Sequence, residues 1–395
     1  QGKGFAPERF TTSHAASVQC GAPMIEAGLW YRPSYFPMRG ERTWRQSCDR
    51  EVGYVRNTVG VADVSTLGKI DVQGPDAAAF LDFVYTNMLS TLKEGRVRYG
   101  LMLREDGHVM DDGTCARLGP QHYVITTTTA AAGQVMRHLE FVHQGLRPDL
   151  DLRMMSVTEQ WAQFAIAGPK SRALLEGLLD TPVGEFPFMG CVAVKVDGVD
   201  ARLFRISFSG EQGYELAMPA RYGDALFRDL VARAEALGGG AYGMEALNVL
   251  RIEKGFITHA EIDGRVTAGD IGMGGMISAR KDCIGKASAA RPGLVEAGRA
   301  QLVGLRPVGA VKQITAGAHL FSQGQAAVSA NDQGYVTSAC YSPTLDTTLA
   351  LAFLRDGASR HGEVVRMVDH LRKIETLCEV QNPVQFDPEG GRMRD

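Results

Sequence analysis

YGLMLREDGHVMDD, residues 99–112, carries the strongest short-range structural signal in the chain. It places an Asp-Gly pair, Asp106 and Gly107, between two alternating apolar runs, and this pattern predicts a β-hairpin. If these two residues form the whole loop, pairing positions add up to a constant, and Leu101 lies opposite Asp112. Tyr99 then becomes a diagonal neighbour of Asp112 on the same face, about 7–8 Å away.

The same pairing turns Asp111 to the opposite face, so the two aspartates occupy two different environments. A carboxylate beside an aromatic ring in a partly apolar pocket can stabilise a cation and relay a proton, as amine and iminium chemistry requires. The alternative is that both aspartates only satisfy amides of a loop. The residues therefore offer Asp112 as a candidate catalytic acid and leave the structural role open.

Strand and helix patterns alternate on both sides of the hairpin. A short strand at 69–73, a helix at 77–85, a strand at 123–128 and a helix at 130–142 surround it, which indicates an α+β fold. A second unit follows, with a strand at 161–167 and a helix at 171–179. Each unit enters its first helix through an apolar-x-Gly-Pro sequence, at 72–75 and 166–169, and this repetition favours an internal duplication.

The rest of the chain continues the mixed pattern. Strands are predicted across 192–218, helices at 224–237 and 243–254, and a mostly β region from 301 to about 383, with a linker at 287–299. The sequence GGGAYG at 238–243 formally matches a dinucleotide-binding motif. It follows a helix rather than a strand, and we therefore interpret it as a loop.

Composition excludes several classes of function. The chain has 395 residues, 45% of them hydrophobic and 22% charged, with a net charge of −3, so neither nucleic acid nor an anionic membrane is an expected partner. No apolar run reaches the roughly 18–20 residues that span a bilayer. Seven scattered cysteines without a C-x-x-C pair fit a reducing cytoplasm. His138 and His143 are five residues apart on one helix, and we expect no metal site there.

The hairpin ending in Asp-Asp resembles that of the aminomethyltransferase family, the glycine-cleavage T-protein and its relatives. Further segments follow in the family's order: DVSTLGK (63–69), RISFSGEQGYE (205–215), EALNVLRIEKGF (245–256) and YSPTL (341–345). The similarity is closer to the C-terminal half of the α subunit of heterotetrameric sarcosine oxidase. That closer similarity is carried by three segments: TTTT (126–129), SVTEQWA (156–162) and FPFM (186–189).

The resemblance implies roles for individual residues. Asp112 corresponds to the family's catalytic aspartate, Tyr99 to the tyrosine near the reactive nitrogens of folate, and Glu215 to the acid that binds the pterin. A carboxylate suits a pterin because the aminopyrimidine edge offers two adjacent N–H donors. The alternative for Glu215 is a solvated strand residue. The resemblance also implies three further folate contacts, at Thr127, Leu67 and Phe208.

Three departures from the T-protein pattern bear on the substrate. Phe208 replaces a tyrosine, so it can stack on a pterin but cannot donate a hydroxyl hydrogen bond. Leu247 replaces an arginine, so the folate tail must be held differently. Thr66 replaces a histidine. These changes argue against a lipoyl-protein donor and favour the oxidase branch.

The fold implied by the resemblance is an α+β, three-lobed aminomethyltransferase-type fold. Residues 1–28 would form a linker or arm, 29–286 two related folate-binding lobes interleaved in sequence, and 300–395 a C-terminal β-barrel domain. Because Gln1 stands where a methionine is expected and 2–20 have little periodicity, we also expect a fragment of a longer protein.

The function implied by the resemblance is acceptance of the one-carbon unit of oxidised sarcosine, or of a similar methylated amine, by tetrahydrofolate. The product would be 5,10-methylenetetrahydrofolate, and the iminium substrate would come from a flavin-bearing partner subunit. A flavin is expected only in that partner, and the location is expected to be cytoplasmic. Two alternatives stay open: a free-standing tetrahydrofolate-dependent aminomethyl- or methyltransferase, and a non-catalytic folate-binding or assembly module.

Overall fold

A computed structural model describes residues 9–394, and their contacts divide the chain into two compact units. The first is formed by the described residues of Gln1–Gly100, Asp111–Leu247 and Gly391–Asp395. The second is formed by Leu101–Met110 and Asn248–Gly390. The two units are therefore interleaved along the sequence rather than consecutive.

The strands are numbered in chain order. Those up to residue 241 are β1 (Arg9–Phe10), β2 (Met24–Ala27), β3 (Trp30–Pro33), β4 (Gly60–Asp63), β5 (Gly68–Gln73), β6 (Arg96–Leu103), β7 (Val109–Gly119), β8 (His122–Thr127), β9 (Arg153–Ser156), β10 (Trp161–Ala167), β11 (Cys191–Val196), β12 (Val199–Phe204), β13 (Gly213–Pro219) and β14 (Gly240–Ala241). Those beyond residue 299 are β15 (Ala300–Val308), β16 (His319–Ser322), β17 (Gly334–Ser342), β18 (Thr347–Arg355), β19 (Val364–Asp369) and β20 (Ile374–Gln381).

Helices alternate with these strands. They are α1 (His14–Gln19), α2 (Trp44–Asn57), α3 (Ala77–Val84), α4 (Ala132–Phe141), α5 (Ser171–Glu176), α6 (Gly223–Ala236), α7 (Met244–Glu253), α8 (Lys286–Ala289), α9 (Pro292–Val295) and α10 (Gly391–Arg394). The segment predicted as a linker or arm contains β1, α1 and β2 from Arg9 onward, and the predicted linker at 287–299 contains α9 and most of α8.

The strands of residues 9–394 form three open sheets and a barrel. A small sheet has the order β1-β3-β2, a six-stranded sheet the order β11-β12-β13-β10-β4-β14, and a five-stranded sheet the order β6-β7-β8-β5-β9. Strands β15-β18-β17-β16-β19-β20 close a barrel in the second unit. Its interior is filled by aliphatic side chains such as Val303, Leu305, Ala350 and Val365, all fully buried. The predicted α+β class and the predicted C-terminal barrel are both confirmed.

Within the first unit, one face of the five-stranded sheet packs on one face of the six-stranded sheet. Val97 and Ala116 from the former form one buried cluster with Cys191, Phe204 and Ala217 from the latter. Because side chains alternate between the two faces of a strand, every second residue from these positions points into the same space. Polar side chains that point into this space from the two sheets can therefore contribute to one site.

The hairpin at 99–112 is confirmed, but the predicted two-residue loop is wrong. The amide of Arg104 donates to the carbonyl of His108 at 2.9 Å, so three residues, 105–107, form the loop. The amide of Gly107 closes a turn on the carbonyl of Arg104, and Gly107 has a φ of 91°. A turn followed by a left-handed glycine is the other common solution for an Asp-Gly hairpin, and Asp106 favours it by accepting from the amide of His108.

Two equivalent junctions support the repeat indicated by the sequence. Gly74 follows β5 and precedes α3, and Gly168 follows β10 and precedes α5. Their φ angles are 142° and 128°, which L-residues rarely adopt. A Cβ would lie 2.4 Å from the carbonyl oxygen of Asp151 in the first case and of Thr58 in the second. Both strand-to-helix junctions therefore need glycine, because the backbone has a positive φ there and because a Cβ would clash with a carbonyl oxygen.

Some boundaries differ from the predictions. The helix predicted at 171–179 ends at Glu176, because Gly177 follows and disfavours helix continuation. The glycine-rich stretch at 238–243 lies after α6, as predicted, but contains the two-residue strand β14, which pairs with β4. No helix in the described part of the chain is long and apolar enough to cross a membrane.

Candidate active site

Tyr99 and Asp112 form the centre of the site in the first unit. The Tyr99 hydroxyl donates to Asp112 Oδ2 at 2.8 Å. Burial raises the pKa of Asp112 to about 6, although the hydrogen bond from Tyr99 opposes the shift. Within residues 9–394 no hydrogen-bond donor reaches Asp112 Oδ1, which is itself buried. The carboxylate is thus fixed by one oxygen and offers the other to a donor or a cation.

Asp111 is held in a different way. Its carboxylate accepts from the Thr128 hydroxyl at 2.7 Å and from the Thr128 amide at 3.2 Å. Burial, and then the negative charge of Asp112, raise the pKa of Asp111 to about 7. The two neighbouring carboxylates therefore have separate hydrogen-bond partners, with Asp111 fixing the end of β8 and Asp112 remaining half satisfied.

Glu215 lies on the facing sheet, on β13. It is buried, with 8% of its surface exposed, which differs from a solvated strand residue. It pairs with Ala165 on β10, and Gln163, two residues earlier on β10, donates its side-chain amide to Glu215 Oε2. Burial raises the pKa of Glu215, while the hydrogen bond from Gln163 and the positive charge of Lys69 lower it.

Lys69 is a buried cation on β5 that the sequence reasoning missed. Its ammonium donates to the carbonyl oxygens of Ser65 and Leu67 at 2.9 and 3.0 Å. Burial lowers its pKa to about 8, although Glu215 and Asp63 raise it. Nothing in the sequence indicated its burial, because Lys69, Asp71 and Gln73 alternate with Ile70 and Val72 on β5, a pattern that is typical of a strand with a solvated face.

Strand pairing assigns these side chains to one space. Lys69 pairs with Thr126 on β8, and Thr126 exchanges a hydroxyl hydrogen bond of 2.9 Å with Thr114, which lies two residues after Asp112. Asp112 and Lys69 are therefore on the face that carries Ala116, and Glu215 is on the face that carries Ala217. Because Ala116 and Ala217 belong to one buried cluster, Asp112 and Lys69 from one sheet and Glu215 from the other face the same space between the sheets.

Three other predicted site residues lie at its margin. Thr127 pairs with Gly68, and alternation turns its side chain to the opposite face, where its hydroxyl donates to the Thr128 carbonyl at 3.0 Å. Leu67 is half-buried in the turn whose carbonyls receive Lys69. Phe208 is 38% exposed in the loop between β12 and β13. The structure therefore joins Tyr99 and Asp112 by a hydrogen bond and places Glu215 on the facing sheet, whereas the Thr127 side chain points away from the space between the sheets.

The Phe208 loop is anchored by a buried ion pair that the sequence did not reveal. Arg56 on α2 donates to the carbonyl of Ser209 at 2.9 Å and to Glu211 at 2.8 Å. Arg392 on α10 also donates to Glu211, at 2.8 Å to each carboxylate oxygen. These partners are 155 and 181 residues from Glu211 in sequence, so no local pattern could have paired them.

Among residues 9–394 no group of three or more His, Cys, Asp or Glu side chains could hold a metal ion. All seven cysteines are free thiols, and none of the hydrogen bonds that define the site involves one. The polar groups that the site brings together are carboxylates, a phenol, an amide and an ammonium. Such a set can bind N–H donors, stabilise a cation and transfer a proton.

Known proteins place the chain in context. The model of the GCVT N-terminal domain matches residues 13–281, and that of the glycine cleavage T-protein C-terminal barrel domain matches 301–387. The chain is 48% identical, over 397 residues, to the sarcosine oxidase subunit alpha of Rhizobium meliloti (strain 1021), covering 99% of this chain and 40% of that protein. It is 33% identical to an aminomethyltransferase of Thermus thermophilus, covering 88% of this chain and 92% of that protein.

The fold agrees with these matches. The crystal structure of glycine cleavage system aminomethyltransferase T from Bartonella henselae superposes with a TM-score of 0.83 at 23% identity, covering 96% of this chain and 98% of that chain. The barrel model coincides with β15 to β20. The chain spans about 40% of the length of the sarcosine oxidase α subunits that it matches. Since the N-terminal model alone covers more than half of its residues, the chain belongs to the glycine-cleavage T-protein (aminomethyltransferase) family.

Proposed function

We propose that this chain is the tetrahydrofolate-binding part of a longer sarcosine-oxidase-type α subunit, where it accepts the one-carbon unit of oxidised sarcosine. The similarity over 99% of the chain to a sarcosine oxidase subunit alpha supports the assignment. The observation that carries it is the Asp112 carboxylate, which is held by Tyr99 through one oxygen and has its other, buried oxygen available.

The site residues fit the chemical groups of folate. Glu215 has used one hydrogen-bonding position, on Oε2, for Gln163, and a carboxylate has about four such positions. It can therefore still receive the two adjacent N–H donors of an aminopyrimidine. Folate chemistry also requires an acceptor beside the reacting nitrogens, and the buried Oδ1 of Asp112 can supply it. Phe208, in its exposed loop position, can cover a flat ring by stacking.

Asp112 and Tyr99 carry the proposed chemistry. Bound tetrahydrofolate supplies the nitrogens N5 and N10, which take up the one-carbon unit as 5,10-methylenetetrahydrofolate while its bond to the amine breaks and the amine, glycine in the case of sarcosine, leaves. Asp112, with a pKa of about 6, is mostly ionised at neutral pH, so it can stabilise a cationic substrate and accept a proton. Tyr99 keeps the carboxylate oriented, and burial strengthens its attraction for a cation.

The substrate in this proposal is the iminium formed when sarcosine, or a similar methylated amine, is oxidised. A flavin in a partner subunit would perform that oxidation, and the complex would work in the cytoplasm. The residues that face the shared space between the two sheets supply acid, base and hydrogen-bonding groups, which suit transfer rather than oxidation. The chain thus provides the accepting half of the reaction.

Replacing Asp112 with Asn tests this function. We expect calorimetric titration with tetrahydrofolate to give a dissociation constant close to that of the wild type, while formation of 5,10-methylenetetrahydrofolate falls by about 10²–10⁴-fold, the usual contribution of a positioned acid or base. Asp106→Asn, in the exposed hairpin loop, is the control and should leave both quantities unchanged. Full turnover by Asp112→Asn would show that Asp112 is not the catalytic residue, whereas tetrahydrofolate binding without turnover in the wild type would favour a non-catalytic folate-binding module.

A free-standing aminomethyltransferase is the second candidate, because the chain matches 92% of the length of the Thermus enzyme. Isolation of the native gene separates the two. An upstream reading frame in phase with this chain that encodes a dinucleotide-binding half supports the sarcosine oxidase assignment. A start codon directly before Gly2 contradicts it.

A further inference from the structure

Lys69 is the only buried cation that donates into the turn carrying Leu67, among the residues that the structure describes. Only 2% of its surface is exposed. The Ser65 hydroxyl accepts from the Gln163 amide and donates to the Gln163 carbonyl, at 2.9 and 3.2 Å. Lys69 therefore connects to the Glu215 side of the site through Ser65 and Gln163, as well as by its charge.

Several charged and titratable groups surround this pair. Glu215 on β13 faces Gln163 on β10, Lys69 on β5 and Tyr242, which follows β14. Lys69 is also influenced by Asp63 at the end of β4 and by Arg32 on β3. The Arg32 guanidinium donates to the Asp63 carbonyl at 3.0 Å, and Asp63 accepts from the hydroxyl of Ser13 and the amide of Ser65. Of these groups, Lys69 is the cation whose charge acts on Glu215.

We infer that Lys69 is a positioning residue of the pterin subsite, which fixes the 65–67 turn and supplies the positive charge that keeps Glu215 an ionised acceptor. This inference rests on the proposed function, because it assumes that Glu215 receives the aminopyrimidine edge. A protonated carboxyl has one oxygen occupied by a proton and cannot accept two parallel N–H bonds. A buried carboxylate with no cation nearby would protonate more readily.

The sign of the pH dependence follows from burial and charge. Burial raises the pKa of Glu215, so tetrahydrofolate binding weakens as pH falls and the carboxyl gains a proton. Lys69 lowers that pKa while it is charged, and it loses its own charge above about 8. Removing Lys69 should therefore shift the acid weakening to higher pH, whereas at pH values above the pKa of Lys69 the variant and the wild type should converge.

The experiment is a titration of the full chain with tetrahydrofolate under anaerobic conditions, repeated at pH values from about 6 to about 9. On the acid limb of the wild-type binding profile, Lys69→Met should bind about tenfold more weakly than the wild type, the effect of about one pKa unit, and the difference should shrink to within a factor of about three near pH 9. Lys69→Arg keeps the charge and should restore most of the affinity. Lys195→Met, which removes an exposed lysine paired with Asp200, is the matched control and should bind like the wild type.

A double variant distinguishes charge from packing. In a Glu215→Gln background the group at residue 215 cannot ionise, so adding Lys69→Met should cause no pH-dependent change. In the ligand-free protein, the infrared band of a protonated carboxyl that is lost in Glu215→Gln should appear at higher pH in Lys69→Met. This second readout does not depend on binding or turnover.

Each opposite result is decisive. An equal loss of affinity at every pH that persists in the Glu215→Gln background would show that Lys69 acts only on packing, and would overturn the inference. Unchanged affinity in Lys69→Met would do the same. If the wild-type chain fails to bind tetrahydrofolate at all, the proposed function fails first, and the inference is overturned with it.

Discussion

Asp112 differs from its neighbour Asp111 and from Glu211 in having one oxygen bound and one available. Asp111 receives two donors from Thr128, and Glu211 receives two arginines. A carboxylate whose two oxygens are both occupied by groups of the fold serves structure, whereas a half-paired one can still accept a hydrogen bond from a ligand. At the scale of single residues, the pattern of satisfied oxygens separates the reactive candidate from its neighbours.

Tyr99→Phe should shift the pH dependence of methylene transfer. Asp112 must be ionised to act, so activity falls as pH drops through its pKa of about 6. The hydrogen bond from Tyr99 favours the ionised form, and its loss should raise that pKa by about one unit. We therefore expect the acid limb of the rate profile to move upward by about one pH unit, with a loss of about twofold at pH 7, where about half of the Asp112 carboxyls would then be protonated.

The matched control for this change is Tyr123→Phe. Tyr123 is fully buried on β8, and no residue among 9–394 forms a hydrogen bond with its hydroxyl. The variant removes the same atom from the same unit and should keep the wild-type profile. An acid limb that stays at its original pH in Tyr99→Phe would show that Tyr99 does not set the ionisation of Asp112.

The Tyr99 to Asp112 hydrogen bond confirms that these two residues of one hairpin meet, although the two-residue loop from which their pairing was predicted is wrong. Sequence could not predict the loop length, since Asp-Gly fits both two- and three-residue loops. Lys69, Gln163 and Arg56 were missed for a different reason. Their partners come from other sheets or helices, so only tertiary packing brings them into the site.

At the scale of elements, the two strand-to-helix junctions at Gly74 and Gly168 set the directions of α3 and α5. Gly168→Ala should lower the free energy of unfolding by about 2–4 kcal/mol, because a Cβ there would lie 2.4 Å from the Thr58 carbonyl oxygen and φ is 128°. Chemical denaturation of the full chain measures the loss. The same substitution at Gly74 should have a similar effect, since its surroundings are equivalent.

Gly133→Ala is the control for this prediction. Gly133 lies in α4, its φ is not positive, and no atom of the described residues lies within 4 Å of an added Cβ. Alanine should raise the free energy of unfolding by up to about 1 kcal/mol, because it restricts the unfolded chain and favours the helix. Equal stability of Gly168→Ala and Gly133→Ala would contradict the proposed need for glycine at the junction.

The elements themselves were largely predictable. Alternation at 161–167 gave β10 with its bounds, and helical spacing with a glycine stop explains α6. The helix after Gly168 was predicted too long because residues 177–179 continue an apolar pattern that suits a helix but here packs as a turn. The spacing of apolar residues indicates which side chains are buried more reliably than it indicates the residue at which a helix ends.

At the scale of the whole molecule, the resemblance implied two interleaved lobes within 29–286, but the exchange of segments between the two compact units was not visible in the sequence. Domain boundaries drawn along the chain at 28/29 and between 286 and 300 remain a prediction, and the compact units cross them. The short segment Leu101–Met110 joins Asn248–Gly390, and Gly391–Asp395 joins the first unit. Contacts of such high sequence separation depend on three-dimensional packing and leave no mark in local patterns.

Helix α10 belongs to the first unit, where its Arg392 and Arg56 of α2 both pair with Glu211, and these ion pairs lead to a stability prediction. Arg56→Met should destabilise the protein by about 3–5 kcal/mol, because it removes the more buried partner of Glu211. Arg392→Met should cost less, about 1 kcal/mol, since its side chain is 44% exposed and Arg56 remains. Thermal and urea unfolding measure both values.

Arg228→Met is the control, as it breaks an exposed ion pair with Asp224 on α6 and should change stability by no more than about 0.5 kcal/mol. If Arg56→Met were as mild as Arg228→Met, the buried charge of Glu211 would need another explanation.

The attachment of α10 to Glu211 also bears on how the protein is made. A ribosome delivers the chain from its N-terminus, and units generally fold as their residues emerge. Every residue from 248 to 390 is synthesised before Arg392. Until then the first unit lacks the ion pair between Arg392 and Glu211, and Glu211 can pair only with Arg56. The loop that presents Phe208 would then gain its last anchor only as translation reaches residues 392–394, after the strands of both units already exist.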